Sequence, residues 1–131
     1  MLSLSQAQAA LAAGQARAAA LGVPVNIAVL DAAAHLKAFG RMDAAVLGSI
    51  DVALGKARTA ALFGITSEAV WDYCKPGAPA PGLERSNGGL TTFPGGVPLR
   101  DAEGRLLGAV GVSGGSPEQD ADIARAAAAA L

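Results

Sequence analysis

Gly22-Val23-Pro24-Val25-Asn26-Ile27-Ala28-Val29-Leu30-Asp31-Ala32-Ala33-Ala34-His35-Leu36-Lys37-Ala38-Phe39 is the stretch that decides the fold class. Val23 to Leu30 is rich in β-branched residues, and Val25, Ile27 and Val29 alternate so as to face one way, which predicts a buried strand. Asp31-Ala32-Ala33-Ala34 is too short for a crossover helix and predicts a turn into a second strand, His35 to Phe39, although three alanines are poor turn formers. So short a connection implies antiparallel pairing. Upstream, Ser3 followed by Gln6 matches a capping box, and Gly22 supplies a stop, so residues 4–21 read as a helix. Leu4, Ala7, Leu11 and Ala18 form its expected apolar stripe.

Downstream, the alanines at 53, 57, 60 and 61 mark a helix face from about Ile50 to Phe63, closed by Gly64. Thr66 caps a short helix through Tyr73. Between Lys75 and Pro98, proline and glycine are too dense for regular structure over most of the stretch, which reads as a long functional loop. Val97 to Arg100 and Arg105 to Ser113 flank Asp101-Ala102-Glu103-Gly104, a hairpin connection. Ser116, with Pro117 at the first helical position and Gln119 at the third, opens a last helix to Leu131. The order is helix, two strands, two helices, loop, two strands, helix. It is not a doubly wound nucleotide-binding order.

The chain has 131 residues, the size of one domain, and is read as a single unit over 1–131. Hydrophobic residues make up 52% and charged residues 16%, against about 25% charged for average globular chains. Alanine supplies much of this excess, so the core is expected from close approach and not from large side chains. A net charge of −1 provides no basic field for a phosphate backbone, which argues against a nucleic-acid partner. Cys74 is the only cysteine, so neither an intrachain disulfide nor a CxxC metal site is available. No signal-peptide pattern and no apolar run of about 18 residues is found, and the expected setting is cytoplasmic, without a membrane partner.

Three motif-like stretches dissolve on inspection. Gly111-Val112-Ser113-Gly114-Gly115 fits the G-x-S-x-G elbow of hydrolases, but the only histidine, His35, precedes the serine, the reverse of the hydrolase order. Ala109, Gly111 and Ser113 read better as a small-residue face that admits a helix or a ligand close to the sheet. Gly55-Lys56 lacks the upstream glycine and the following hydroxyl residue of a phosphate loop, and Gly108, Gly111 and Gly114 have the wrong spacing for a dinucleotide turn. Lys56 stands out in a different way. By helical period it shares a face with Val52, Thr59 and Phe63. Either its stem snorkels over apolar surface, or its ammonium binds an anion. Asp43 reads as a cap for a helical turn, with Arg41 pairing to a nearby acid.

Several blocks together resemble the GlcG/HbpS family: Gly22-Val23-Pro24-Val25 to Leu30-Asp31, His35-Leu36 to Arg41-Met42-Asp43, Lys56-Ala57-Arg58-Thr59-Ala60, Pro94-Gly95-Gly96-Val97-Pro98-Leu99 and Gly108 to Gly114, with Asp120 beyond them. They occur in the family's order and span almost the whole chain. The resemblance implies an α/β (α+β), profilin-like domain with a central antiparallel sheet of about five strands flanked by helices. It also implies homo-oligomers, up to octamers, and an association with haem. Members also occur beside glycolate-use genes and as domains attached to corrinoid adenosyltransferases. Where the family usually carries glycine after Arg-Met-Asp, this chain has Ala44, and its N-terminal region lacks a histidine of the kind the corrinoid-associated members offer to haem.

From this follows the expectation of a small-ligand module in which Arg41, Lys56, Ser113 and the loop Pro94-Gly95-Gly96 surround a pocket for haem or another carboxylate-bearing molecule. His35 and Cys74 are the candidate iron ligands. Two alternatives stand beside it: an isomerase or lyase for a small organic acid with Asp43 or His35 as general base, and a structural or regulatory oligomeric module.

Overall fold

Ser3 and Gln6 exchange side-chain-to-backbone hydrogen bonds and start α1, Leu4–Leu21, which ends where Gly22 turns left-handed at φ 71°. A computed structural model describes all 131 residues. After α1 come β1 (Asn26–Asp31), β2 (Leu36–Arg41), α2 (Ser49–Phe63), α3 (Ser67–Cys74), a 3-10 turn (Leu83–Arg85), β3 (Gly96–Arg100), β4 (Leu106–Ser113) and α4 (Pro117–Ala128). The sheet is antiparallel in the order β2-β1-β4-β3, four strands where about five were expected. α4 opens on a second capping box, Ser116 with Gln119, and has Pro117 in its first turn.

Both hairpins turn on an aspartate. Asp31 Oδ1 accepts from the backbone N–H groups of Ala33 and His35, and Asp101 Oδ1 does the same for Glu103 and Arg105. These bonds let the alanine-rich first turn close, with Ala34 taking a left-handed φ of 64°. A second left-handed alanine, Ala44 at φ 67°, lies on the exposed connection between β2 and α2. A Cβ is penalised there, which accounts for glycine as the residue expected at this position. Ala44→Gly is expected to raise stability by about 0.5–1 kcal/mol, measured by thermal or urea denaturation. A loss of stability would mean that the Ala44 methyl makes contacts worth more than the strain.

The two faces of the sheet are packed differently. On one, Val25, Ile27, Val29, Val110, Val112 and Leu99 meet Ile123 and the alanines of α1 and α4. α1 buries most of the stripe expected for it: Ala7 and Ala18 are fully buried and Leu11 packs partly buried against the core. Leu4 is instead 52% exposed, and Ala10 and Gly14 join the inner face. The reason is distance: a Cβ on Gly14 would stand 2.8 Å from Ile27 Cδ1, so this helix lies too close to the sheet for leucines between them. On the other face α2 lies on Ala28, Leu30, Ala109 and Gly111 through Ala53, Ala57 and Ala60. No helix is long and apolar enough to cross a membrane.

Candidate functional site

Lys56 is the polar centre of the α2 face. Its side chain is 3% exposed, and Nζ donates to Asp120 Oδ2 at 3.0 Å and to the Val112 carbonyl at 2.9 Å. Asp120 Oδ1 accepts from Gly115 N–H at 2.9 Å. One buried ion pair thus joins α2, the end of β4 and the first turn of α4. Lys56 does not snorkel to water: its ammonium is buried and compensated within the chain by Asp120, 64 residues away. Gly95 and Gly96 are buried against this lysine. A Cβ on Gly95 would come within 3.0 Å of Nζ, and one on Gly96 would overlap the Lys56 carbonyl. These glycines make room for Lys56.

The segment before β3 is pinned from beneath. Thr59 Oγ1 accepts from Thr91 N–H at 2.9 Å, and Gly95 O accepts from Val112 N–H. Ser67, fully buried, donates to the Phe93 carbonyl and accepts from Gly96 N–H. Held in this way, residues 91–96 form one wall of a cleft whose other wall is α3. Glu68, Trp71, Asp72, Thr92, Phe93 and Pro94 line it, around a volume of about 480 Å³. Trp71 and Phe93 are 40% and 61% exposed. A second cleft of about 270 Å³ shares Glu68 and Pro94 and runs on to Glu118 and Arg125 of α4. Of the loop residues expected to bind a ligand, Pro94 alone lines these clefts.

The other expected site residues do not converge there. Arg41 is exposed on the edge strand β2, at the opposite edge of the sheet from β3 with β1 and β4 between them, and neither it nor Asp43 enters an ion pair. Asp43 makes no capping bond either. Ser113 is 6% exposed, and its hydroxyl donates to Ser49 Oγ at 3.1 Å. It pairs with Asn26 at one end of β1, whereas His35 follows Asp31 at the other, about 17 Å of strand away. No serine–histidine pair exists. His35 and Asp43, the alternative general bases, flank β2 at opposite ends, and neither lines a cleft. Cys74 is buried, and its thiol is held above the ordinary range by burial, reinforced by the Glu84 carboxylate. Cys74 lines neither cleft. Sequence reasoning missed Ser67, Trp71 and Phe93. The one available signal was the chain's single tryptophan, placed on a short capped helix before a proline-glycine loop.

Comparison with known proteins sets this geometry among relatives. Residues 2–129 match the family described as "Haem degrading protein HbpS-like". The chain is 43% identical over 116 residues to the corrinoid adenosyltransferase PduO of Citrobacter freundii, a match that covers 88% of this chain and 34% of PduO. It therefore spans about a third of that enzyme. Protein GlcG of Escherichia coli (strain K12) is 40% identical over 113 residues, 86% of this chain and 81% of GlcG. The solved structure of a PduOC:haem complex superimposes with a TM-score of 0.92 at 39% identity, covering 99% of this chain and 94% of that one.

Proposed function

The chain belongs to the HbpS-like family, and from that premise we propose that it is a small-ligand-binding domain whose ligand is haem, seated in the cleft between α3 and residues 91–96. The observation that carries this reading is the open aromatic wall of Trp71 and Phe93 over a rigidly held loop, in a chain whose relative forms a haem complex. A porphyrin is flat and apolar over most of its area, and aromatic faces held in place bind such a ligand by burial and stacking. The protein supplies position, and the haem supplies the iron. No histidine, cysteine or methionine lines the cleft, so the binding energy comes from the macrocycle's faces. The carboxylate-holding pair Arg41 and Lys56 has no part in it.

Haem titration tests this reading. Haem is expected to quench the single tryptophan, Trp71, and to develop a Soret band at one equivalent. Phe93→Ala should weaken binding about tenfold, the loss of part of one aromatic burial. His35→Ala should leave the Soret position unchanged. A shifted band in His35→Ala, or full affinity in Phe93→Ala, would contradict the assignment of the cleft.

The domain acts as a homo-oligomer on this reading. Leu36, Val46, Leu47, Phe63 and Tyr73 are all more than a third exposed, more large apolar surface than a small monomer usually leaves in water. Light scattering at micromolar concentration should give a multiple of the 12.8 kDa chain mass. A monomer mass would refute it.

A further inference from the structure

The two clefts meet at Glu68, and their charges are unequal. Glu68 and Asp72 of α3 face the aromatic half, and Glu118 and Arg125 of α4 face the smaller half. Asp72 is paired with Lys75 at 3.3 Å on the exposed side. Glu68 lies at the junction, half-buried, and enters no ion pair. The only cation lining either cleft is Arg125, at the α4 end. Haem at neutral pH carries two ionised propionates on one edge, and a like charge within a few ångströms of a carboxylate is repelled, the more so where water is partly excluded.

Resting on the ligand reading above, we infer that Glu68 is a specificity-determining residue. It discriminates against anionic substituents at the junction of the two clefts and turns the charged edge of a bound tetrapyrrole outward, toward solvent and Arg125. The aromatic half then selects for the apolar face of the ligand, and neutral or cationic flat ligands are preferred to their acidic counterparts. This differs from a pocket that recognises its ligand by holding carboxylates.

The experiment compares haemin with haemin dimethyl ester, the same ferric macrocycle without its propionate charges, by quenching of Trp71 in low-salt buffer. The ester should bind about three- to tenfold more tightly than haemin, and added salt at about 0.5 M should narrow that ratio by screening. Glu68→Gln should tighten haemin by about threefold and leave the ester unchanged, a selective effect that a purely structural role for Glu68 would not produce. Equal changes for both ligands in Glu68→Gln, or tighter binding of haemin than of its ester by the unmodified protein, overturns the inference while the ligand reading survives. Failure of both porphyrins to quench Trp71 overturns the two together.

Discussion

Lys56→Met is expected to destabilise the fold by about 3–5 kcal/mol, the range for removing one partner of a buried ion pair. The variant strands the Asp120 carboxylate in a site where it is 5% exposed and has only Gly115 N–H as a donor, and it deprives the Val112 carbonyl of its lysine. Methionine fills the volume of the lysine stem, so the loss belongs to the charge and not to a cavity. The pair as a whole need not be stabilising relative to apolar residues. What costs so much is the uncompensated half. Asp120→Asn added to Lys56→Met should therefore recover part of the loss, since the amide oxygen still accepts from Gly115 without carrying a charge. Urea denaturation of the single and double variants measures this. A single-variant loss below about 1 kcal/mol, or a strictly additive double variant, would contradict the account of this pair.

Gly111→Val should have an effect of similar size, about 3 kcal/mol or more, for a steric reason. Gly111 of β4 lies directly under α2: a Cβ there would overlap the Ala53 carbonyl and stand 2.5 Å from the Ala57 backbone nitrogen. Helix backbone cannot move aside as a side chain can, so α2 must lift from the sheet or β4 must bend, and overpacking of this kind is destabilising. Gly48→Ala is the control. Gly48 has an ordinary φ of −58° and open space around its Cβ position, and its change should stay within about 0.5 kcal/mol. Comparable losses in the two variants would show that close approach of α2 is not what Gly111 provides.

The local elements were legible because their signals are local. Ser3 with Gln6 and Ser116 with Gln119 form their capping boxes within one turn, and the alternation of Val25, Ile27 and Val29 gave the buried face of β1 directly. The inner stripe of α1 was legible only in part: Ala7 and Ala18 were placed on it, but Leu4 was wrongly included and Gly14 left out, because half of the helix is alanine and hydrophobic periodicity separates its faces poorly. Gly14 is chosen by Ile27, a contact visible only after folding. Lys56 was conspicuous in the sequence, but its charge partner lies 64 residues away, and no spacing rule connects them. The family resemblance pointed to Asp120 without saying what it holds. The cleft escaped for the same reason. Its walls come from residues 68–72 and 92–94, and the side chains of Thr59 and Ser67 that fix one wall are each bonded to backbone about 30 residues on.

The central claim is that the ligand face is the cleft between α3 and residues 91–96. NMR of the protein titrated with diamagnetic zinc protoporphyrin tests it most directly, because ring-current shifts report which residues lie over the macrocycle. The largest shifts are expected at the Trp71 indole N–H and at the amides of Glu68, Asp72, Thr92 and Phe93, with His35 and Arg41 unmoved. Shifts centred on His35 in the β1–β2 hairpin, or on Arg41 and Asp43 at the end of β2, would contradict it.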